Sequence, residues 1–229
     1  MLASGSRGNC YRISDGSTTL LLDAGIPFAK IRAGLDFQVT QVDGCLVSHQ
    51  HLDHFKAVRD LAKNGINVYA SCGTLAPCGT IHHRYIQVKA MQQFQIGTFC
   101  IMPFDVKHDA AEPLGYLCES TKTREKLLYF TDGCYSGYKF NGLTHIMCEC
   151  NYDKDSLRRS VENGYISSDL AARIIRNHMS FETLVDMLKE NDISRLQQIY
   201  LLHLSDSNSD EKRYKEEVQK LTGAEVYVC

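Results

Sequence analysis

Ser48-His49-Gln50-His51-Leu52-Asp53-His54 sets three imidazoles and a carboxylate within six positions. A short apolar run, Cys45-Leu46-Val47, precedes it, and a stretch with the pattern of a helix, Phe55 to Asn64, follows. Imidazole and carboxylate together suit borderline divalent cations: zinc, manganese or iron. A helical H-E-x-x-H places two ligands one turn apart around a single ion. H-x-H-x-D-H in the turn after a strand can instead aim its side chains at two neighbouring points. Taken alone, the stretch equally suits a histidine-rich surface loop.

Three later pieces shift that balance, each just after an apolar, strand-like run. They are His108 in Asp105-Val106-Lys107-His108, Asp132 in Tyr129-Phe130-Thr131-Asp132-Gly133, and His203 in Leu201-Leu202-His203-Leu204-Ser205. With them, His49-x-His51-x-Asp53-His54 resembles the signature of the metallo-β-lactamase superfamily, over a span from about Ser4 to His203. The opening Ser4-Gly5-Ser6-x-Gly8-Asn9 resembles the start of its YycJ/WalJ-like, exodeoxyribonuclease-like branch.

The resemblance implies two divalent metal ions, zinc or manganese, with iron as the further option. By position, His49, His51 and His108 match one metal site, and Asp53, His54 and His203 match the second. Asp132 matches the carboxylate that bridges them, around a shared hydroxide that Asp53 orients for attack. Asp23, in Asp23-Ala24-Gly25, resembles the superfamily's first acidic motif, which holds the metal loop by hydrogen bonds without ligating. An aspartate that merely ends a strand is the plain alternative.

Glu149 in Cys148-Glu149-Cys150-Asn151 and His178 in Asn177-His178-Met179-Ser180 resemble the proton-donating dyad of the phosphodiesterase branches. A histidinium held by a carboxylate can protonate a departing 3′-oxygen. The alternative is a helix-capping histidine beside a satisfied glutamate. Arg173 and Arg176 share a helix face just before His178 and are candidates for phosphates flanking the scissile bond; a solvated face is the alternative. Ser4, Ser6 and Asn9 are candidates of the same kind, because their glycines permit a turn with exposed backbone N–H groups. Tyr116, Tyr135, Tyr138 and Tyr152 are candidates for base stacking only through nearness to the motifs.

The function expected is a dinuclear metal-dependent phosphodiesterase or nuclease acting on DNA, 5′-to-3′ and exonucleolytic. A thioester or lactone hydrolase of the glyoxalase-II kind and a non-hydrolytic iron-binding relative are the alternatives. Aspartate at position 132, where the zinc β-lactamases carry cysteine, argues against that activity. Roughly seventy residues between Asp132 and His203 leave no room for a β-CASP insertion. About two dozen between His108 and Asp132 leave none for the long tRNase Z arm.

Composition fits this picture. The 229 residues suit one domain over 1–229 with a sizeable core. A net charge of −2 gives no global basic field, so nucleic-acid binding needs a local patch. No apolar run reaches the roughly 20 residues of a membrane span, and Met1 so close to the glycine-rich motif predicts no leader segment. Ten scattered cysteines without a C-x-x-C pair predict reduced thiols in a cytoplasmic protein, with no obligatory protein partner. Strands are expected at 18–23, 66–70, 92–104, 114–120, 126–131, 145–150, 198–204 and 225–228. Helices are expected from Pro27 to about Gly34 and over 55–64, 155–163, 167–177, 180–191 and 209–221, with a loop over 71–84 that includes His82-His83. That order predicts an α/β fold, a four-layer αββα sandwich.

Overall fold

The computed structural model describes residues 1–79, 82–135, 137–205 and 208–229. The chain divides into two compact units, Met1–Asp105 with Ala110–Arg124, and Val106–Asp109 with Glu125–Cys229. Mixed β-sheets flanked by helices make it an α/β sandwich.

In the first unit β1 (Tyr11–Ser14) and β2 (Thr19–Leu22) form an antiparallel hairpin. β3 (Gly44–Leu46), β4 (Val68–Ala70) and β5 (Tyr85–Gln87) follow in parallel, in the order β1-β2-β3-β4-β5. Parallel neighbours need crossovers. α1 (Phe28–Gly34), the pair α2 (Leu52–Phe55) and α3 (Val58–Lys63), and the short α4 (Cys72–Leu75) supply them. Ile31, Val58 and Leu61 on these helices pack with Leu21, Cys45 and Val68 of the strands in one buried cluster. β6 (Phe94–Ile96), β7 (Phe99–Asp105) and β8 (Leu114–Ser120) complete the unit as an antiparallel meander.

In the second unit β9 (Lys126–Phe130), β10 (His145–Glu149), β11 (Gln198–Leu202) and β12 (Glu225–Val228) are all parallel and adjacent in that order. α5 (Lys154–Glu162), α6 (Ser168–Asn177) and α7 (Phe181–Glu190) connect β10 to β11, and α8 (Glu211–Thr222) connects β11 to β12. Each of the four has a side-chain cap that satisfies an N–H of its first turn: Asp153, Ser167, Ser180 and Asp210. Gly223 closes α8 in the left-handed conformation.

Three expectations need correction. The run 92–104 is two strands, because a turn at Gly97 and Thr98 folds β6 back on β7. The helix expected over 55–64 is two short helices, starting earlier and broken near Lys56 and Ala57. The loop expected over 71–84 contains α4, and its residues Thr80 and Ile81 lie outside the described ones.

Candidate metal centre

In the first unit the site grows from the carboxyl ends of β2 and β3, the usual place for ligands in parallel sheets. Asp23 follows β2 in a left-handed conformation, φ 57°, which turns its carboxylate into the protein. Its Oδ1 accepts the Ser48 backbone N–H at 2.7 Å. Its Oδ2 accepts the Ser48 hydroxyl at 2.9 Å and His54 Nδ1–H at 2.6 Å. A carboxylate can only accept, so His54 carries its proton on Nδ1, and its Nε2 lone pair accepts from the Asn9 side-chain amide at 3.0 Å. The same logic runs through Ser48. Its hydroxyl proton is committed to Asp23, so at 3.0 Å its oxygen accepts from His49 Nδ1–H. His49 Nε2 then lies 3.1 Å from His51 Nδ1, and Asp53 Oδ2 lies 3.6 Å from His54 Nε2. Asp23 therefore fixes the orientation of Ser48 and His54.

Gly25 explains how the loop is seated. A β-carbon there would fall 1.6 Å from the Asp53 carbonyl oxygen. Asn9 is fully buried. Its backbone N–H donates to the Asp53 carbonyl at 2.7 Å, and its side-chain oxygen accepts the Gly5 N–H at 2.9 Å. Asn9 thus braces the opening loop from within. The Ser4 hydroxyl accepts from Tyr11 at 3.0 Å, while Ser6 is exposed.

In the second unit Asp132, two residues past β9, and His203, directly after β11, are again left-handed, with φ 39° and 57°. Holding non-glycine residues there costs on the order of 1–3 kcal/mol, a cost that recurs at functional sites. His203 Nδ1 lies 3.3 Å from Asp132 Oδ1 and donates to Glu149 Oε1 at 3.0 Å. Glu149 is fully buried, and its Oε1 also accepts His178 Nδ1–H at 2.6 Å. Its Oε2 accepts the backbone N–H groups of Gly133 at 3.0 Å and Met179 at 3.1 Å. The glutamate thus has four donors, enough to offset its burial. His108 donates through Nδ1 to the Asn177 carbonyl at 3.2 Å, with Nε2 4.0 Å from Asp132.

Ligand-type atoms of Asp132, Glu149, His178 and His203 lie within 4.8 Å of one another. Burial pushes Glu149 up, but the charge and hydrogen bond of His178 and the hydrogen bond of His203 outweigh it and hold the carboxyl below its usual range. Burial pulls His178 down, but Glu149, Asp132 and Asp109 carry it up to about 9. Burial likewise opposes a charge on His203, and Asp132 and Glu149 reverse that. Surroundings that favour a proton on the His203 ring also favour a cation in its place.

The chain carries distinct clusters of His, Asp and Glu side chains close enough to chelate divalent ions, consistent with a dinuclear metal cofactor. The donor set is nitrogen and oxygen without thiolate, which fits zinc, manganese or iron.

Some participants carry no signature in the sequence. Ser48 ties Asp23 to His49 only through its hydroxyl. Asp109 reaches His108 Nε2 at 3.4 Å and Arg173 at 3.6 Å, and accepts from the Asn177 side chain at 2.9 Å; adjacency to His108 was its one visible clue. Arg173 is therefore already engaged, whereas Arg176 is exposed and has no ion-pair partner among the described residues. Two stacking candidates need correction. Tyr116 and Tyr152 are core residues, the former donating to the Val47 carbonyl at 2.8 Å. Tyr135 is exposed and Tyr138 half-buried.

The family model of the metallo-β-lactamase superfamily matches residues 3–117. The chain is 29% identical over 227 residues to an exodeoxyribonuclease YycJ of Bacillus anthracis, covering 91% of this chain and 83% of that one. It is 28% identical over 228 residues to an exodeoxyribonuclease WalJ of Streptococcus pneumoniae, covering 91% and 82%. Among solved structures it superposes on the metallo-β-lactamase fold protein YhfI of Bacillus subtilis with a TM-score of 0.75 at 16% identity, covering 99% of this chain and 93% of that one.

Proposed function

We propose that this chain, which belongs to the metallo-β-lactamase superfamily and is a dinuclear metal-dependent hydrolase, cleaves phosphodiester bonds of DNA as a 5′-to-3′ exonuclease. In this reading His49, His51, Asp53, His54, His108, Asp132 and His203 hold the two ions, and the two units serve as one catalytic domain. When bound, the ions supply Lewis acidity and an ionised nucleophile near neutral pH.

The observation that carries the phosphodiester reading is the Glu149–His178 pair. Glu149 fixes Nδ1 of His178 at 2.6 Å, which leaves Nε2–H as the proton to give. As a P–O3′ bond breaks, that proton passes to the departing 3′-oxygen. An alkoxide is a poor leaving group, so a deoxyribose 3′-oxygen needs such a donor; a thiolate or nitrophenolate needs it far less. Asp53 orients the attacking nucleophile, and Asp23 keeps His54 in its tautomer. Names of the curated relatives support DNA as the substrate. All ten cysteines are free thiols, which supports assignment to a reducing cytoplasm. No helix of the described residues is long and apolar enough to cross a membrane.

The test compares wild type and His178→Ala, with manganese or zinc supplied, on end-labelled DNA and on bis(4-nitrophenyl) phosphate. Turnover on DNA is expected to fall about 10²–10⁴-fold, with a much smaller loss on the nitrophenyl diester. Equal losses on both substrates, or none on DNA, would refute the dyad. Product lengths report polarity in the same assay.

A further inference from the structure

The first unit contains a hollow of 310 Å³ that the proposed chemistry does not use. Leu2 and Ile26 give it an apolar lining, and Ser4, Arg7, Gly8 and Lys30 complete most of it. None of its lining residues is acidic. Arg7 and Lys30 are exposed, and neither is in an ion pair among the described residues. In a chain of net charge −2, two unneutralised cations on one hollow are a local patch against the overall sign.

The hollow is built on a braced segment. Gly8 has φ +142°, and a β-carbon there would lie 2.5 Å from the Gly25 carbonyl oxygen, so the loop is pressed onto the chain just after β2. Asn9, the next residue, bonds the backbone of Asp53. The loop that carries Arg7 is thus hydrogen-bonded to the stretch that carries the candidate ligands.

We propose that this hollow is a nucleotide subsite for single-stranded DNA. The Leu2 and Ile26 surface takes a base or sugar, and Arg7 and Lys30 take the adjoining phosphate. Its volume is at the low end of the roughly 300–1,000 Å³ of small-ligand clefts, enough for one nucleoside and not for a duplex. Bracing to Asp53 sets how far along the strand the reacting bond falls. The inference rests on the phosphodiesterase reading for its purpose.

The experiment measures binding of fluorescein-labelled (dT)12 by anisotropy at several salt concentrations. It uses wild type, the double variant Arg7→Glu/Lys30→Glu, and Lys215→Glu on the exposed face of α8 as a control. The double variant is expected to bind at least about tenfold more weakly. Its log K against log salt slope should be shallower by about 0.7, the value for one phosphate neutralised on a single strand. Lys215→Glu should bind within twofold of wild type. No binding by wild type, no weakening in the double variant, or equal weakening in the control overturns the subsite. If charge reversal prevents folding, Arg7→Ala/Lys30→Ala decides by the same criteria. Wild-type turnover of bis(4-nitrophenyl) phosphate separately judges the hydrolytic reading, so the two failures are told apart.

Discussion

Asp23 concentrates three hydrogen bonds at the candidate metal centre. Its carboxylate carries the Ser48 N–H, the Ser48 hydroxyl and His54 Nδ1–H together. Its left-handed backbone is tolerable because aspartate and asparagine accept that region better than most residues. Asp23→Asn therefore preserves shape and turn while removing the charge and one acceptor oxygen. His54 then loses the partner that fixes its tautomer, and Ser48 loses the acceptor that orients it toward His49. Metal affinity should fall by about 10–100-fold, the usual cost of losing a group that holds a ligand. Competition against a chromophoric chelator measures it, and an unchanged affinity would show that Asp23 merely ends a strand.

At the scale of elements, the β1–β2 hairpin is tied to β8 and to the β6–β7 turn by one carboxylate. Asp15 Oδ1 accepts the backbone N–H groups of Ser17 and Thr18, both at 2.9 Å. Its Oδ2 accepts the hydroxyls of Thr98 at 2.5 Å and Ser120 at 2.6 Å. Burial pushes this carboxyl up, but the bonds from Ser120, Thr98, Thr18 and Ser17 hold it well below its ordinary range. A carboxyl lower in the folded than in the unfolded chain binds its proton more readily when unfolded. Its stabilisation is thus fully present above the unfolded value, near 4, and fades as pH falls below it. Asp15→Asn should melt several degrees below wild type at pH 7, with the gap narrowing steadily below about pH 4. Thermal melts from pH 7 to pH 2 check this; a gap constant with pH would mean the tie acts only as a neutral hydrogen bond.

The same elements show what sequence could and could not reveal. Capped amphipathic helices such as α6 and α7 were legible to within a residue or two, because their caps and apolar stripes are local. The break between α2 and α3 was not. There the Ala57 N–H donates to the Ala24 carbonyl at 2.8 Å, and the Ala24 N–H to the His54 carbonyl at 2.8 Å, across a distance no local pattern records. The turn at Gly97 was hidden because apolar residues flank it on both sides. Candidate ligand types and their spacings were readable in one dimension, whereas the contacts of Ser48 and Asp109 exist only in three.

At the scale of the whole molecule, candidate ligands come from residue 49 to residue 203, and both compact units contribute to them. Without cations, buried carboxylates and imidazoles in the second unit are balanced by protons: His178 and His203 both bind theirs more tightly than ordinary histidines. Divalent ions that displace the proton of His203 bind the native chain more tightly than the unfolded one, so they stabilise it by mass action. At one hundred times the dissociation constant that is about 2.7 kcal/mol per site, and for a chain of this size each kcal/mol moves the midpoint by about 2–4 °C. With two ions bound, zinc or manganese should therefore raise the melting temperature by about 10–20 °C and a chelator should reverse the shift. If the ligand assignment holds, His51→Ala in the first unit and His203→Ala in the second should each remove most of that gain, and combining them should cost little more than either alone, since the two ions of that assignment share the Asp132 carboxylate and losing one weakens the other. Differential scanning calorimetry with and without metal distinguishes this from two independent sites, for which each substitution would remove only its own part of the shift.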